Sequence, residues 1–102
     1  MIKKFGVMAI TATMFALPMT ASADEALAKS KACLACHQVQ KKVVGPAFTD
    51  VAAKYKGQAD GKAYLVDKIK NGGKGVWGPV PMPKQNVTDD EAAKLADWIL
   101  AL

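Results

Sequence analysis

Hydrophobic residues run first continuously along this 102-residue chain, then periodically, then scattered, and at last periodically again. Phe5 to Leu17 is apolar apart from Thr11 and Thr13, and Pro18 breaks the run. From Glu25 to about Ala35 the chain is rich in alanine, leucine and lysine, all good helix formers. This predicts a helix that Asp24 caps and that carries Cys33 and Cys36 on its last turn. Phe48, Val51, Ala52 and Tyr55 follow helical spacing and predict a short helix from Pro46 to about Lys56. Proline is tolerated in a first helical turn, and Gly57 ends the run. Tyr64, Leu65, Lys68 and Ile69 recur at three and four residues, which predicts a third helix over 62–71, stopped by Asn71-Gly72-Gly73. The last helix has the clearest start. Thr88 followed three residues later by Glu91 is a capping box, and Leu95, Trp98, Ile99 and Leu102 form the apolar face. No strand signal or repeat is present, so the expected fold class is all-α with about four helices.

Residues 72–87 break this regularity with four glycines and three prolines. A loop of that length in a small domain is either functional or disordered. Trp77, Val80 and Met82 are apolar anchors within it and argue against disorder. A loop folded over something that is not protein reconciles the two facts.

The first hydrophobic run has its own explanation. Lys3 and Lys4 precede it and Ala21-Ser22-Ala23 follows, which is the anatomy of a cleaved export signal. About 13 apolar residues are too few to span a bilayer as a retained anchor, which takes about 20. Residues 1–23 are therefore expected to be a signal peptide and 24–102 a single mature domain, placed in the periplasm without stable membrane insertion. Four of the five methionines and two of the three phenylalanines lie in the signal. The mature domain keeps five aromatic side chains: Phe48, Tyr55, Tyr64, Trp77 and Trp98. Seventy-nine residues make a marginal core without a staple. The mature charge is twelve lysines against nine acids, a net +3. That suits transient steering to an acidic partner and is too small to argue for nucleic acid.

The rare residue types of the mature chain then converge. Cys33-Leu34-Ala35-Cys36-His37 is a C-x-x-C-H sequence, the attachment signal of c-type haem. Its two thiols form thioethers with the porphyrin vinyl groups, and the adjacent imidazole is tethered under the iron. A disulfide, a thioredoxin-type pair and a zinc site are the alternatives. The thioredoxin reading expects a βαβ context that is missing. Structural zinc needs four protein ligands, and no second Cys/His pair exists. A disulfide leaves His37 unexplained. One haem c per chain is the expected cofactor.

Met82 stands between Pro81 and Pro83, 45 residues after His37. A lone methionine is ordinarily a gap-filler in a core. Here stiff prolines and the loss of other methionines favour a thioether ligand on the iron face opposite His37. The alternative is an open sixth position, at which iron could bind a gas or peroxide. No second histidine is present to serve as a distal acid or base. The expected function is single-electron transfer by His/Met-ligated haem, with no enzyme activity.

The segments CLACH, VGPAF, DVAAKY, KIKNGG, GVWGPVPMP and VTDDEAAKLADWIL carry a resemblance over essentially all of 24–102. The chain resembles the small bacterial class I cytochromes c of the cytochrome c-551/c-552 family. That resemblance implies helices enclosing haem with the terminal helices crossing, Cys33 and Cys36 as attachment residues, and His37 and Met82 as axial ligands. It further implies that the Pro46 carbonyl accepts from the His37 ring, that Trp77 donates its indole N–H to a haem propionate, and that Lys68 approaches a propionate. Some members have asparagine where this chain has Gln85, its amide facing the ligand sulfur, and Asn86 follows here. The residue before the first cysteine is often glycine and is Ala32 here. Relatives act as periplasmic shuttles, which implies transient redox partners (a terminal oxidase, a nitrite reductase or a bc1-type complex) and a monomeric carrier.

Overall fold

A computed structural model describes the backbone of residues 19–102 and side chains from Asp24 onward. Among the described residues, four α-helices and one 3₁₀ turn make up the regular structure. The export segment expected over 1–23 lies outside the described residues through 18, and 19–23 are helical.

Helix α1 is Met19–Ser30, which corrects the sequence expectation at both ends. Asp24 lies within the helix and does not cap it. At the other end the chain turns before the cysteines. The Ala32 N–H donates to the Lys29 carbonyl at 3.1 Å, and Ala32 then adopts the left-handed conformation, φ 62°. Cys33–Ala35 is a separate 3₁₀ turn, with the His37 N–H on the Cys33 carbonyl at 2.9 Å. Local propensity favoured continuing the helix. The left-handed Ala32 ends α1, and the cysteine segment continues as a 3₁₀ turn, a form frequent at helix termini.

Helix α2 is Phe48–Tyr55, with Ala47 as its N-cap, so Pro46 lies just outside the helix and not in its first turn. Helix α3 is Gly61–Asn71, one residue earlier than its apolar stripe indicates. A Cβ on Gly61 would overlap the Tyr55 carbonyl oxygen, so glycine permits the tight passage from α2 to α3. Helix α4 is Asp89–Leu100 and starts with the expected capping box: Glu91 N–H donates to Thr88 Oγ1, and Thr88 N–H to Glu91 Oε1.

α4 is the organising element and packs against α1, α2 and α3. Ala28 on α1 and Ala92 and Ala96 on α4 are fully buried, and such small side chains allow the terminal helices to approach closely. Leu95, Trp98 and Ile99 belong to one hydrophobic cluster with Phe48, Val51, Leu65 and Ile69. Trp98 meets Phe48 edge-on, ring centroids 5.2 Å apart. Tyr55 and Tyr64 stack at 4.7 Å and join α2 to α3. Among the described residues there is no strand, only isolated bridges at His37–Lys42 and Gly73–Met82.

Candidate functional site: a cavity closed by the cysteine turn and the glycine–proline loop

The helices leave a cavity of about 380 Å³ between the Cys33–His37 turn and the 72–87 loop. Cys33, Cys36, His37 and Met82 all lie on its wall. Two segments far apart in the sequence, with Met82 45 residues after His37, thus supply every soft or nitrogen donor expected from the sequence.

His37 is the best-fixed member. Its ring Nδ1 is 2.8 Å from the Pro46 carbonyl, so with Nδ1 protonated the ring donates there and keeps Nε2 as its lone-pair nitrogen. The position of Pro46 outside α2 is what makes that carbonyl accessible. Phe48 stacks on the imidazole at 4.8 Å, and Trp98 buttresses Phe48. The ring orientation is thereby referred back to α4. A Cβ on Gly45 would overlap the same imidazole, lying 2.8 Å from Nδ1. Glycine is required there for close approach, although its φ is ordinary.

The cysteines differ in exposure. Cys33 is half-buried and burial pushes its thiol up, while Cys36 is exposed. The two sulfurs are not joined to each other. Among the described residues no group of three or more His, Cys, Asp or Glu side chains is arranged to hold a metal ion.

Met82 is held by its backbone. Its N–H donates to the Gly73 carbonyl at 2.8 Å and its carbonyl accepts from the Gly73 N–H at 3.1 Å. Gly72, at φ 77°, makes that return possible, since a Cβ there would overlap the Met82 carbonyl. Farther on, the Gln85 N–H donates to the Ile69 carbonyl at 3.0 Å and fastens the loop to α3. The Gln85 side-chain amide donates to the Pro83 carbonyl at 2.8 Å, and Gln85, not Asn86, is on the cavity wall.

Trp77 and Lys68 also line the cavity. Trp77 is 39% exposed, at the mouth. Lys68 lies over the Tyr64 ring, 5.4 Å from its centroid, and 3.6 Å from Asp67. The exposed valines Val44, Val76 and Val80 belong to the same wall, an apolar rim that has no protein partner among the described residues. Sequence inspection treated Phe48 and Tyr64 as helix-face residues and passed over Gly45. Their roles depend on contacts across the fold, which spacing along the chain does not encode.

The donor set fits a covalently held haem: two thiols at the attachment spacing, an imidazole following them, a thioether on a separate loop, and an apolar wall. Comparison with known proteins agrees. The family model described as cytochrome c matches residues 23–102. The chain is 61% identical over 80 residues to cytochrome c-552 of Hydrogenobacter thermophilus, covering 78% of this chain and 82% of that protein. It is 53% identical over 91 residues to cytochrome c-551 of Pseudomonas aeruginosa, covering 89% and 88%. The crystal structure of wild-type cytochrome c552 from Nitrosomonas europaea superimposes with a TM-score of 0.74 at 56% identity, covering 76% of this chain and 96% of that one. The cavity, the attachment sequence and these relatives together place the chain in the cytochrome c family, which carries haem c bound covalently through a cysteine pair spaced as Cys33 and Cys36 are.

Proposed function

We propose that the chain is a soluble, periplasmic, monohaem electron carrier whose iron is held between His37 and Met82. The observation that carries the proposal is that both side chains line the one cavity that also holds Cys33 and Cys36. Haem c, when attached, supplies a one-electron couple, and His/Met ligation sets it at a raised potential relative to harder ligand sets. The chain's own residues then do four things. Cys33 and Cys36 tether the group. The Pro46 carbonyl and Phe48 hold the His37 imidazole in one orientation. The Gly73–Met82 backbone pair presents the thioether from the opposite segment. Trp77 and Lys68, at the cavity wall, offer an N–H and a positive charge to the acidic edge of a porphyrin.

A closed site of this kind moves electrons and leaves no open position for substrate. Relatives named cytochrome c-551, c-552 and c2 support the carrier role. Export of residues 1–23, a monomeric state and transient encounters with an oxidase, a nitrite reductase or a bc1-type complex complete the proposal. Among the described residues no helix is long and apolar enough to cross a membrane. The deciding measurement is the near-infrared spectrum of the ferric holoprotein. A methionine-sulfur charge-transfer band is expected. Its absence, together with rapid cyanide or carbon monoxide binding, would overturn the Met82 assignment and favour a ligand-binding or enzymatic haem.

A further inference from the structure

The tip of the 72–87 loop has little backbone support. Among the described residues, Gly73 and Met82 close its neck and the Gly75 N–H donates to the Gly78 carbonyl, but no backbone hydrogen bond joins 74–81 to a helix. Gly75 and Gly78 both have positive φ, which leaves the tip chain without side chains to anchor it at those points. Trp77 is nevertheless placed on the cavity wall. Lys54, on the last turn of α2, reaches it from the helical body. Its Nζ lies 5.0 Å from the Trp77 ring centroid and 5.6 Å from that of Tyr55. Both distances are within cation–π range, and an indole is the strongest aromatic partner for a cation. Lys54 is not on the cavity wall, and it is absent from the four ion pairs formed among the described residues. The C-terminal end of α2 also favours a cation at that place.

We propose that Lys54 is a positioning residue for Trp77: its ammonium braces the indole from outside the cavity and so fixes the tip of the loop that carries Met82. This rests on the reading that Trp77 faces the haem. The experiment follows hydrogen exchange of the Trp77 indole N–H by NMR in ferrous holoprotein, for the wild type, Lys54→Met and Lys54→Arg. Lys54→Met is expected to speed indole exchange about two- to five-fold, with the α4 amides unchanged, and Lys54→Arg to restore the slow rate. Unchanged indole exchange in Lys54→Met, a speed-up that arginine does not restore, or an equal speed-up at the α4 amides would each overturn the brace. Trp77→Phe tests the underlying reading separately, through the midpoint potential. A shifted potential there with unaltered indole exchange in Lys54→Met overturns the brace and leaves the haem-facing role of Trp77 standing. Faster exchange in Lys54→Met with no potential shift in Trp77→Phe supports the brace and overturns that role.

Discussion

Ala32 carries a backbone conformation that glycine accepts freely and alanine does not. The left-handed region costs an L-residue about 1–2 kcal/mol. Ala32→Gly relieves that strain, offset in part by the larger entropy of an unfolded glycine. The expected outcome is a holoprotein more stable by about 1 kcal/mol, a rise of about 4–8 °C in thermal midpoint for a domain this small. A midpoint that falls or stays put would show that the turn is not strained. Gly45→Ala acts in the opposite sense. Its methyl overlaps the His37 ring, so the imidazole must leave the Pro46 carbonyl or the turn must shift. Disturbed haem absorption with a lowered potential is expected, and an unchanged spectrum would contradict the crowding. Met82→Ala is predicted to leave the haem attached, since Cys33 and Cys36 are untouched, while lowering the potential and admitting cyanide faster. Unchanged cyanide binding would remove Met82 from the iron. Cys33, Cys36, His37 and Met82 were legible in the sequence because they are rare types at informative positions. Gly45 and Phe48 were not, because each matters only through a ring brought to it by folding.

At the scale of the helix, α4 was readable and α1 was not, for physical reasons that differ. The start of α4 is written in local chemistry: a threonine oxygen and a glutamate three residues on satisfy each other's backbone donors. Thr88→Ala should cost about 1 kcal/mol, seen as a lower denaturation midpoint with the haem spectrum intact. The box also has a pH signature. The hydrogen bond from the Thr88 backbone N–H holds the Glu91 carboxyl below the usual carboxylate range, and Lys31, 3.3 Å away, helps. A carboxyl lowered in the native state stabilises it fully above the unfolded value, about 4.3. That contribution is lost as pH falls through the lower native value. Glu91→Gln should therefore be less stable than wild type near neutral pH, with the gap closing in acid. A gap that is constant with pH would dismiss the carboxylate. The end of α1, by contrast, has no stop residue. Alanine, lysine and leucine all favour continuation, and the turn at Ala32 is closed by local backbone hydrogen bonds, from Ala32 to Lys29 and from Ala35 to Ala32, that no residue type there announces. The same holds for Pro46, whose place one residue outside α2's cap serves a hydrogen bond to His37 that helix rules do not anticipate.

At the scale of the molecule, the protein part of the core is thin. Among the described residues thirteen hydrophobic ones are buried, five of them alanines, and Leu95 is the large side chain most completely enclosed. A core so poor in bulk needs the apolar face of the cofactor to complete it. Cys33→Ala combined with Cys36→Ala should leave a chain with little cooperative thermal unfolding by circular dichroism, and a sharply folding haem-free double variant would contradict this. The all-α architecture was legible from helical spacing, and the irregular 72–87 loop from its glycine and proline content, which rules out regular structure there. How the two walls of the cavity are held was not. One wall is hydrogen-bonded at Pro46 and stacked through Phe48 to α4, whereas the other rests on the Gly73–Met82 backbone pair and the fastening at Ile69. On the proposed ligation this asymmetry orders events in time. Under heat or denaturant the sulfur side lets go while the imidazole side persists. The released loop remains joined at both ends to α3 and α4, so recapture is an event within one molecule and its rate is independent of protein concentration. The carrier has a designated point of failure, and it is one that mends itself.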